Sequence, residues 1–305
     1  MADRQWLRRY ELTMGKSGGA GVKTDKLRVA FEVKKGDTET PNEATIRVWN
    51  LADETMQRAR REFDRVVLEA GYQDNSGVIY AGNIIGKRII HENGVDAVLE
   101  LTCGDGDEAY VGAVVSKTLA AGSTPKDVIG EVQNSFGEYG VQQGEIQELG
   151  GERLPRGKVM FGMTRRYARE AAYTTDTSWS IQDGKLTVVK REGYLSGEAV
   201  VLTSETGLVG APEQTNDGLK VRCLLNPRIR VNGRVKIDNA SVQEAKAQAG
   251  KDAKQPAALN SDGFYRILQI AYVGDTRGQD WYCDLVCISI DASGSKTADR
   301  KGAAG

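Results

Sequence analysis

The sequence has too few histidines and cysteines for the common metal and catalytic sites. His91 is its one histidine, and we interpret it as a turn residue rather than a general base. The four cysteines lack the CxxC spacing of a zinc site, and Cys283 and Cys287 would lie about 13 Å apart on one strand, too far for a disulfide. We therefore expect no catalytic residue, metal or cofactor, and cysteines that serve as small core residues.

Long apolar runs and an excess of one charge are also absent. No apolar run reaches about 18 residues, and 41 Lys and Arg balance 42 Asp and Glu. These features argue against a membrane span and against a global basic field for nucleic acid. The charged N-terminal stretch argues against a signal peptide, and we expect synthesis in the cytoplasm. With only 6 prolines, the 36 glycines indicate many tight turns between short strands.

The first 104 residues show mainly strand patterns. The predicted strands are Trp6–Met14, Lys26–Val33, Ala44–Trp49, Arg65–Gly71, Val78–Ile90 and Val95–Cys103. A helix capped by Asn50 is predicted to reach about Phe63. The charged segment Lys34–Asn42 suits a flexible hairpin tip.

The last third of the chain starts with the loop Gly207–Gly218 and then alternates again. Leu219, Val221, Cys223 and Leu225 predict a strand that is buried on one face. Asn232-Gly233 predicts a bulged hairpin with a left-handed Gly233, because that loop would pair Ile229 with Val235.

The two strand-rich ends resemble each other at an offset of 184 residues. Gly94-Val-Asp96 and Leu101-Thr-Cys103 match Gly278-Gln-Asp280 and Leu285-Val-Cys287. Ile84 with Leu268 and Ile89 with Val273 keep this offset. Upstream, Leu27 and Val29 resemble Leu219 and Val221, and Ile46 and Val48 resemble Val235 and Ile237, at offsets that differ by a few residues, as changes in loop length would produce. These matches predict two copies of one antiparallel β-barrel module. The alternative is that any two hairpins with glycine turns look alike.

Between the two copies, helical signals mark a small α/β insert. Thr124-Pro125 with Asp127 is a helix start, and Arg165–Ala172 predicts a second helix. The turn Asp183-Gly184 predicts a type I′ hairpin that pairs Ile181 with Leu186 and Trp179 with Val188. The fold class is therefore mainly β (α+β), with two similar β-barrel tube domains around the insert. The predicted divisions are 1–104, 105–205 and 206–290, with a flexible insertion at 243–258 and a flexible tail at 291–305.

Several short motifs match part of a known functional-site pattern but lack residues that the pattern requires. Gly15-Lys16-Ser17 lacks the earlier glycine of a phosphate loop, since Tyr10 stands there. Asp105-Gly106-Asp107 lacks the spaced ligands of a Ca²⁺ site, and we interpret it as a turn. The basic residues Arg228, Arg230, Arg234 and Lys236 lack the aromatic neighbours that stack single-stranded bases.

Several segments, taken together and in order, resemble baseplate hub proteins of tailed bacteriophages. They are the stretch TGLVGAP from Thr206, Leu224–Arg228, Asp262–Arg266, Gly274–Gly278, Trp281-Tyr282, Ile46–Leu51 and the Gly104–Asp107 turn. The likeness extends from about Trp6 to Ile290. The long segment Gln243–Ala258 departs from the family pattern.

The resemblance implies a non-enzymatic homotrimer at the distal end of the tail tube. Its two similar tube domains per subunit would adapt a six-fold tube to a three-fold spike around a channel for DNA. The implied partners are the tail tube protein, the central spike protein, other baseplate proteins, the tape-measure protein and genomic DNA that passes without sequence-specific binding. The protein would act in the virion after assembly in the host cytoplasm. We expect interface contacts from Lys34, Lys35, Asp37, Glu39, Glu43, Gly207, Val209, Glu213, Arg228 and Arg230.

Two other function classes remain open from the residues alone. A hub-associated peptidoglycan hydrolase would need a carboxylate pair in a cleft, for which Glu145 and Glu148 are the nominal candidates. A nucleic-acid-binding β-barrel protein would show salt-dependent binding of single strands.

Overall fold

A computed structural model describes residues 7–19, 21–216, 218–244, 259 and 262–290. Its helices are α1 (Asp53–Glu62), α2 (Asp107–Gly112), α3 (Pro125–Gly137) and α4 (Thr164–Thr174). The strands before α2 are β1 (Arg8–Gly15), β2 (Gly21–Thr24), β3 (Val29–Gly36), β4 (Glu43–Trp49), β5 (Arg65–Tyr72), β6 (Asn75–Glu92) and β7 (Asp96–Gly104).

The remaining strands follow in two groups. Those of the middle region are β8 (Val114–Leu119), β9 (Gln142–Ile146), β10 (Lys158–Met163), β11 (Thr177–Gln182) and β12 (Lys185–Lys190). Those of the last region are β13 (Val200–Leu202), β14 (Leu208–Thr215), β15 (Gly218–Leu224), β16 (Arg234–Ile237), β17 (Gln243–Glu244), β18 (Phe264–Asp275) and β19 (Trp281–Ser289). The predicted tail at 291–305 and most of the predicted insertion at 243–258 lie outside the described residues.

Both strand-rich ends of the chain belong to one fourteen-stranded sheet. Its order is β17-β14-β15-β19-β18-β3-β4-β7-β6-β5-β1-β2, and β16 joins β13 to β18 at one side. The two ends meet where β18 pairs antiparallel with β3, from Gln269 opposite Gly36 to Asp275 opposite Ala30. Among the described residues the pairings form no closed ring, so two separate closed barrels are not found.

The two hairpins that end these regions have the same register and the same irregularity. In β6–β7, Ile84 lies opposite Cys103, and the next pair joins Gly86 to Thr102. In β18–β19, Ile267 lies opposite Cys287, and the next pair joins Gln269 to Val286. Each hairpin therefore carries a β-bulge of one residue at the matching place.

This register corrects the correspondence that was expected from the sequence. Ile84 matches Ile267 rather than Leu268, and Ile89 matches Tyr272 rather than Val273. The offset is 183 residues in the first strand of the hairpin and 184 in the second. The turn between the two strands is one residue longer in the second hairpin, and a comparison at one constant offset cannot detect that change.

The upstream correspondence also shifts by one strand. β4 pairs with β7 through Ile46 and Leu101, and β15 pairs with β19 in the same way through Val221 and Leu285. β15 is therefore the equivalent of β4, and its neighbour β14 is the equivalent of β3. The expected match of β15 with β3 and of β16 with β4 was wrong.

The insert has a hydrophobic core of its own, in which Trp179, Phe136 and Val132 are buried. Its predicted hairpin is confirmed, since Trp179 lies opposite Val188 and Ile181 opposite Leu186. Asp183 and Gly184 have φ values of 53° and 74°, as a type I′ turn requires. The two helix predictions are also confirmed, and Thr124 and Asp127 form a capping box at the start of α3.

Two local predictions were wrong because distant partners hold the asparagines concerned. Asn50 does not cap α1, whose N-cap is Ala52; its side chain donates to the Asp96 carboxylate at 2.9 Å instead. Residues 228–231 form no strand, and Asn232 rather than Gly233 is left-handed, with φ 65°. The Asn232 backbone N–H donates to the Ile267 carbonyl at 2.8 Å, which excludes the predicted pairing of Ile229 with Val235.

Candidate functional site

One face of the sheet is charged and exposed across both halves of the chain. We call it the charged sheet face, and it consists of the outward residues of β15, β19, β18, β3, β4, β7 and the second half of β6. One row across it runs from Arg222 through Asp284, Ala271 and Lys34 to Glu43, each opposite the next. The other face of the same strands is apolar and buried, as at Ile46 and Leu101, which are fully buried. The two-residue period of the strands separates the two faces.

Opposite charges are paired on this face. The Arg222 Nε lies 2.6 Å from the Asp284 carboxylate, and Lys34 lies 2.8 Å from Glu32. Glu100 accepts from Arg47 at 2.8 Å and from another strand's arginine, Arg88, at 2.7 Å. The hydrogen bond from Arg47 holds the pKa of Glu100 below its ordinary value. Exposed pairs of this kind contribute about 0–1 kcal/mol each, so their main effect is to balance the charge of the face.

A groove of about 870 Å³ crosses one end of the charged sheet face. It lies between the β3–β4 connection and strand β14, two segments that the sequence identified separately as interface candidates. The predicted residues Lys34, Glu43, Val209 and Glu213 all line it, and all four are exposed. Lys35, which also lines it, has a side chain that is only 6% exposed. The structure thus brings residues from both predicted segments together.

A second groove, of about 690 Å³, contains the other predicted basic residues. Arg228, Arg230 and Arg234 line it together with Glu145 from the insert. Gly207 lies in neither groove. It is buried in a turn before β14, where its carbonyl accepts from the Leu224 N–H at 2.7 Å.

Three predicted interface residues face the insert of their own chain. Asp37 has a side chain that is only 8% exposed and lies 2.5 Å from the Arg266 guanidinium. Asp37 also accepts from Ser178 at 2.8 Å and from the Asn232 amide at 2.9 Å. Glu39 accepts from Arg169 of α4 at 2.7 Å, and Lys35 lies 2.6 Å from Asp183. The β3–β4 connection is therefore held against the insert and is not a free tip.

Arg266 is the centre of this arrangement, which we call the polar clamp (Asp37, Ser178, Asn232 and Arg266). Its side chain is 3% exposed, and it donates to the Asn232 amide oxygen at 2.6 and 2.9 Å. It also donates to the carbonyls at 190 and 191, at the end of β12. The clamp therefore connects both ends of the chain's sheet to the insert.

A second buried contact joins the sheet to the insert at the turn of the β11–β12 hairpin. The fully buried Asp105 carboxylate accepts from the backbone N–H groups of Asp183 and Gly184 at 2.6 and 2.7 Å. Burial raises the pKa of Asp105 to about 7, and the charge of Asp183 acts in the same direction. The charge of Lys35 opposes this shift. The Asp105-Gly106-Asp107 segment is thus a hydrogen-bonded turn, as the sequence indicated.

Sequence reasoning assigned no role to Arg266, Asn232, Ser178 or Asp105 in this arrangement. Asp262–Arg266 was noted as part of a family resemblance, yet nothing local indicates that Arg266 would be buried. Its side-chain partners Asn232 and Asp37 lie 34 and 229 residues away in sequence. In the part of the chain that the structure describes, no cluster of three or more His, Cys, Asp or Glu side chains could hold a metal ion.

Solved structures identify the class of protein that has this fold. The chain is similar to the 43 kDa tail protein of prophage MuSo2 from Shewanella oneidensis, with 8% identity, a TM-score of 0.59, and coverage of 93% of this chain and 98% of that one. It is equally similar to the tail protein from Neisseria meningitidis MC58, with 9% identity, a TM-score of 0.59, and coverage of 92% and 96%. The Escherichia coli c3393 protein, a component of the type VI secretion system, matches with 10% identity, a TM-score of 0.53, and coverage of 86% and 73%. The fold is that of phage tail proteins.

A comparison of the sequence with protein families identifies one family within this class. The family described as baseplate hub gp41 matches residues 9–242, and the chain belongs to that family. It is a structural component of a phage tail baseplate. Among curated protein sequences no significant match is found. None of the helices within the described ranges is long and apolar enough to cross a membrane.

Proposed function

We propose that the chain forms a homotrimeric hub at the distal end of the tail tube. Each subunit would contribute two tube-like units, one from residues 1–104 and one from 206–290, with the 105–205 insert between them. Three subunits would then present six similar units to a six-fold tube and keep three-fold symmetry toward the spike. Closed rotational symmetry of this kind is the usual way in which one chain builds a ring.

The observation that carries this proposal is the repeated hairpin. β6 and β18 each change pairing partners along their length, and each has its bulge opposite the same position of the following strand. A coincidence of glycine turns would not reproduce the register, the bulge and the neighbouring strand together. In addition, β18 of the second unit pairs with β3 of the first, so the two units already lie side by side as neighbours in a ring would.

The charged sheet face is the surface that we assign to the channel. Its basic residues are matched by acidic ones on adjacent strands, as in the pairs Arg222–Asp284 and Arg47–Glu100. Binding to DNA depends on neutralising phosphates with unpaired Lys and Arg. A face with balanced charges would let genomic DNA pass without holding it, and without reading its sequence.

The first groove is the surface that we assign to an axial partner. It is open, contains charges of both signs and lies where the two units of one subunit meet. The tail tube protein, the central spike protein and the tape-measure protein are the proposed axial contacts, with other baseplate proteins around the ring. The c3393 protein is described as structurally similar to the T4 bacteriophage tail proteins gp27 and gp5, which supports contacts with other tail proteins.

A non-enzymatic role in the virion, after assembly in the host cytoplasm, is the last part of this proposal. The family consists of structural baseplate proteins, and in both grooves the carboxylates lie among lysines or arginines. Glu145 and Glu198 both line the second groove, among three arginines, and Glu148 does not line it. This mixed composition favours a contact surface over a glycosidase cleft, where two carboxyl groups flank the substrate.

The mass and shape of the purified full-length protein test the proposal. Native mass spectrometry should give three copies of the chain, and cryo-electron microscopy should show rings with a central opening and six similar lobes. A particle that stays monomeric at the concentrations used for microscopy would contradict the trimer. A ring of three without six-fold pseudosymmetry would contradict the adaptor role.

A further inference from the structure

The small sheet that β8 and β10 form in the insert has one exposed apolar face, which we call the ribbon face (Val114, Val159 and Phe161). Val159 and Phe161 of β10 are 68% and 74% exposed, and Val114 of β8 is 53% exposed. The opposite face is buried in the insert core through Met160 and Val115. Contiguous exposed apolar residues often mark an interaction surface, so the ribbon face is a candidate for a partner.

One edge of β8 carries backbone groups that no strand of the described chain uses. The Thr164 N–H donates to the Ala113 carbonyl at 3.0 Å, and bonded pairs alternate with unbonded ones along an antiparallel ladder. In the register of the two strands, Val115, Lys117 and Leu119 therefore bond to β10. The N–H and C=O groups of the residues between these three point away from β10, and no strand within the described ranges pairs with them.

Side chains bond to the same outward pattern elsewhere on this sheet. The Tyr167 hydroxyl accepts from the Phe161 N–H at 2.7 Å and donates to the carbonyl of the same residue at 3.1 Å. In α3, the Ser135 hydroxyl donates to the first carbonyl of β8 at 3.2 Å. Ser116 and Thr118 remain, and both are exposed. Among the described residues nothing bonds to their outward N–H and C=O groups, so each offers a donor and an acceptor on this edge.

The charge beside this edge is positive. Lys117, between the two outward residues, is exposed, and among the described residues no carboxylate pairs with it. The neighbouring Lys158 of β10 is already paired with Glu170 at 2.8 Å. Opposite charges on adjacent strands attract each other across a sheet. A strand that lies along β8 would therefore be favoured by an acidic side chain beside Lys117.

We propose that the outer edge of β8 binds an extended segment of another baseplate protein as an added strand. The backbone of this segment would exchange hydrogen bonds with Ser116 and Thr118, the mode of recognition called β-augmentation. The segment's residues opposite these two would be apolar and would extend the ribbon face beside Phe161. Its residue between them would be acidic and would lie beside Lys117. That the partner is a baseplate protein rests on the proposed function, whereas the strand-binding edge rests on the insert alone.

An added strand fits these features better than a helix does. A helix packed on the ribbon face would cover the backbone groups of Ser116 and Thr118 without bonding to them, and buried unsatisfied groups are costly. Because these two side chains are short, long apolar side chains of an added strand can reach across them toward Val159 and Phe161. β8 and β10 form a sheet of their own, and neither lines the two grooves. A partner bound here therefore leaves the charged sheet face free.

Hydrogen exchange of the full-length chain with a synthetic peptide tests the edge. The probe is a short capped peptide in which valine alternates with glutamate, so that one face of the strand is apolar and the other acidic. The control peptide is methylated on the nitrogen of each valine, which removes the N–H donors that would face β8. Nuclear magnetic resonance then follows the exchange of the Ser116 and Thr118 amides. The Lys117 amide, which bonds to β10, is the internal reference.

We expect the alternating peptide to slow the exchange of both outward amides and the methylated peptide to leave it unchanged. Thr118→Pro removes one donor of the edge and keeps the ladder to β10, a placement that an edge strand tolerates. This variant should weaken peptide binding about tenfold or more, whereas Thr118→Val keeps the N–H and should bind as the unmodified chain does. Fluorescence anisotropy of the labelled peptide measures these affinities.

The variant Lys117→Glu tests the charge and does not depend on the accommodation of a proline. It should lose the preference for the valine–glutamate peptide and bind a peptide that alternates valine with lysine instead. Equal affinities of this variant and the unmodified chain for both peptides would overturn the assignment to an acidic segment.

The outcomes distinguish this inference from the hub proposal. Unchanged exchange of both amides at about 1 mM peptide would overturn the inference. Protection that grows with protein concentration in the absence of peptide would assign the edge to a second copy of the chain, and would overturn it as well. A chain that forms the expected trimer without binding the peptide would leave the hub proposal intact. A monomeric chain that binds the peptide at this edge would contradict the hub proposal and support the strand-binding edge.

Discussion

Arg266 shows how a single buried charge connects three parts of the chain. Its guanidinium, 3% exposed, lies between Asp37 of the β3–β4 connection, Asn232, and the carbonyls that follow β12. A buried charge is costly unless it is paired and its donors are satisfied. Both conditions are met here, so removing one partner should cost much more than removing an exposed ion pair.

Replacing Arg266 with methionine tests this expectation. The change leaves the Asp37 carboxylate buried without its cation, and we expect the free energy of unfolding to fall by about 3–5 kcal/mol. The matched control is Arg222→Met, which breaks the exposed pair with Asp284 and should cost at most about 1 kcal/mol. Urea unfolding monitored by circular dichroism measures both.

The double variant R266M/D37N distinguishes the cost of the uncompensated Asp37 charge from the cost of lost packing around Arg266. Because an asparagine side chain carries no charge, adding Asp37→Asn to Arg266→Met should recover a large part of the lost stability. Equal losses in the single and double variants would mean that packing, and not the uncompensated Asp37 charge, accounts for the effect.

The raised pKa of Asp105 leads us to expect that the free energy of unfolding depends on pH with a definite sign. Burial raises its pKa in the folded chain to about 7, whereas an ordinary aspartate has a pKa of about 3.9. A raised acid pKa stabilises the fold fully below about pH 4, and this contribution is lost as the pH rises to about 7. Three pKa units correspond to at most about 4 kcal/mol.

The variant Asp105→Asn isolates that contribution. Between pH 4 and 7, the free energy of unfolding of the unmodified chain should fall relative to that of the variant, and above about pH 8 the difference should stay constant. Asp74→Asn, at an exposed turn, is the control and should run parallel to the unmodified chain. Denaturant unfolding at four or five pH values measures the curves; parallel curves for Asp105→Asn would contradict the raised pKa.

At the scale of single elements, Gly184 and Gly130 show that a glycine can be required in one element and unfavourable in another. Gly184, in the β11–β12 turn, has φ 74°, a region that costs an ordinary residue about 1–2 kcal/mol. Gly130 lies inside α3, where a Cβ atom added to it would have no neighbouring atom within 4 Å. There a methyl group adds helix propensity without a clash.

We therefore expect opposite effects from the same substitution. Gly184→Ala should destabilise the chain by about 1–2 kcal/mol, and Gly130→Ala should stabilise it by about 0.5–1 kcal/mol. Thermal unfolding of the two variants beside the unmodified chain gives the signs. A stabilising Gly184→Ala would show that the turn does not need its left-handed residue.

The elements that the sequence predicted correctly are those determined by a few neighbouring residues. The capping box of Thr124 and Asp127 and the Asp183-Gly184 turn each act within four residues of chain. Asn232 and Asn50 were misjudged because their side chains bind partners far away, Asp37 and Asp96. Each asparagine has a turn or cap tendency of its own, and tertiary hydrogen bonds override it.

The candidate site was predictable only in part, for the same reason. Lys34, Glu43, Val209 and Glu213 were identified as loop residues, and they line one groove. That their two segments meet follows from the β18–β3 pairing, which no local pattern contains. The repeat was visible in the sequence, but a one-residue change in turn length hid the register of the first strand of its hairpin. The alternating pattern also did not distinguish β3 from β4 as the equivalent of β15.

For the whole molecule, the charge of one sheet face is the property on which its proposed assignment to the channel depends. The basic residues of the charged sheet face are Lys34, Arg47, Arg88, Lys220 and Arg222. The acidic residues are Glu32, Glu43, Glu92, Asp96, Glu100, Asp275 and Asp284. Because the acidic residues outnumber the basic ones on this face, we expect no measurable binding of duplex or single-stranded DNA by the purified chain at physiological salt.

Removing acidic members of this face should create the binding that they prevent. In the variant with Glu32→Gln, Glu43→Gln and Asp284→Asn, Lys34 and Arg222 lose their paired carboxylates and can neutralise phosphates. Fluorescence anisotropy with a labelled duplex should then show binding that weakens steeply with salt, by roughly 0.9 logarithmic units per phosphate contact for each tenfold increase. A matched variant with three exposed acidic residues changed outside this face, at Glu54, Asp74 and Glu138, has the same net charge and should not bind. Equal binding by both variants would mean that total charge, and not this face, controls contact with DNA, and the assignment of the charged sheet face to the channel would lose its support.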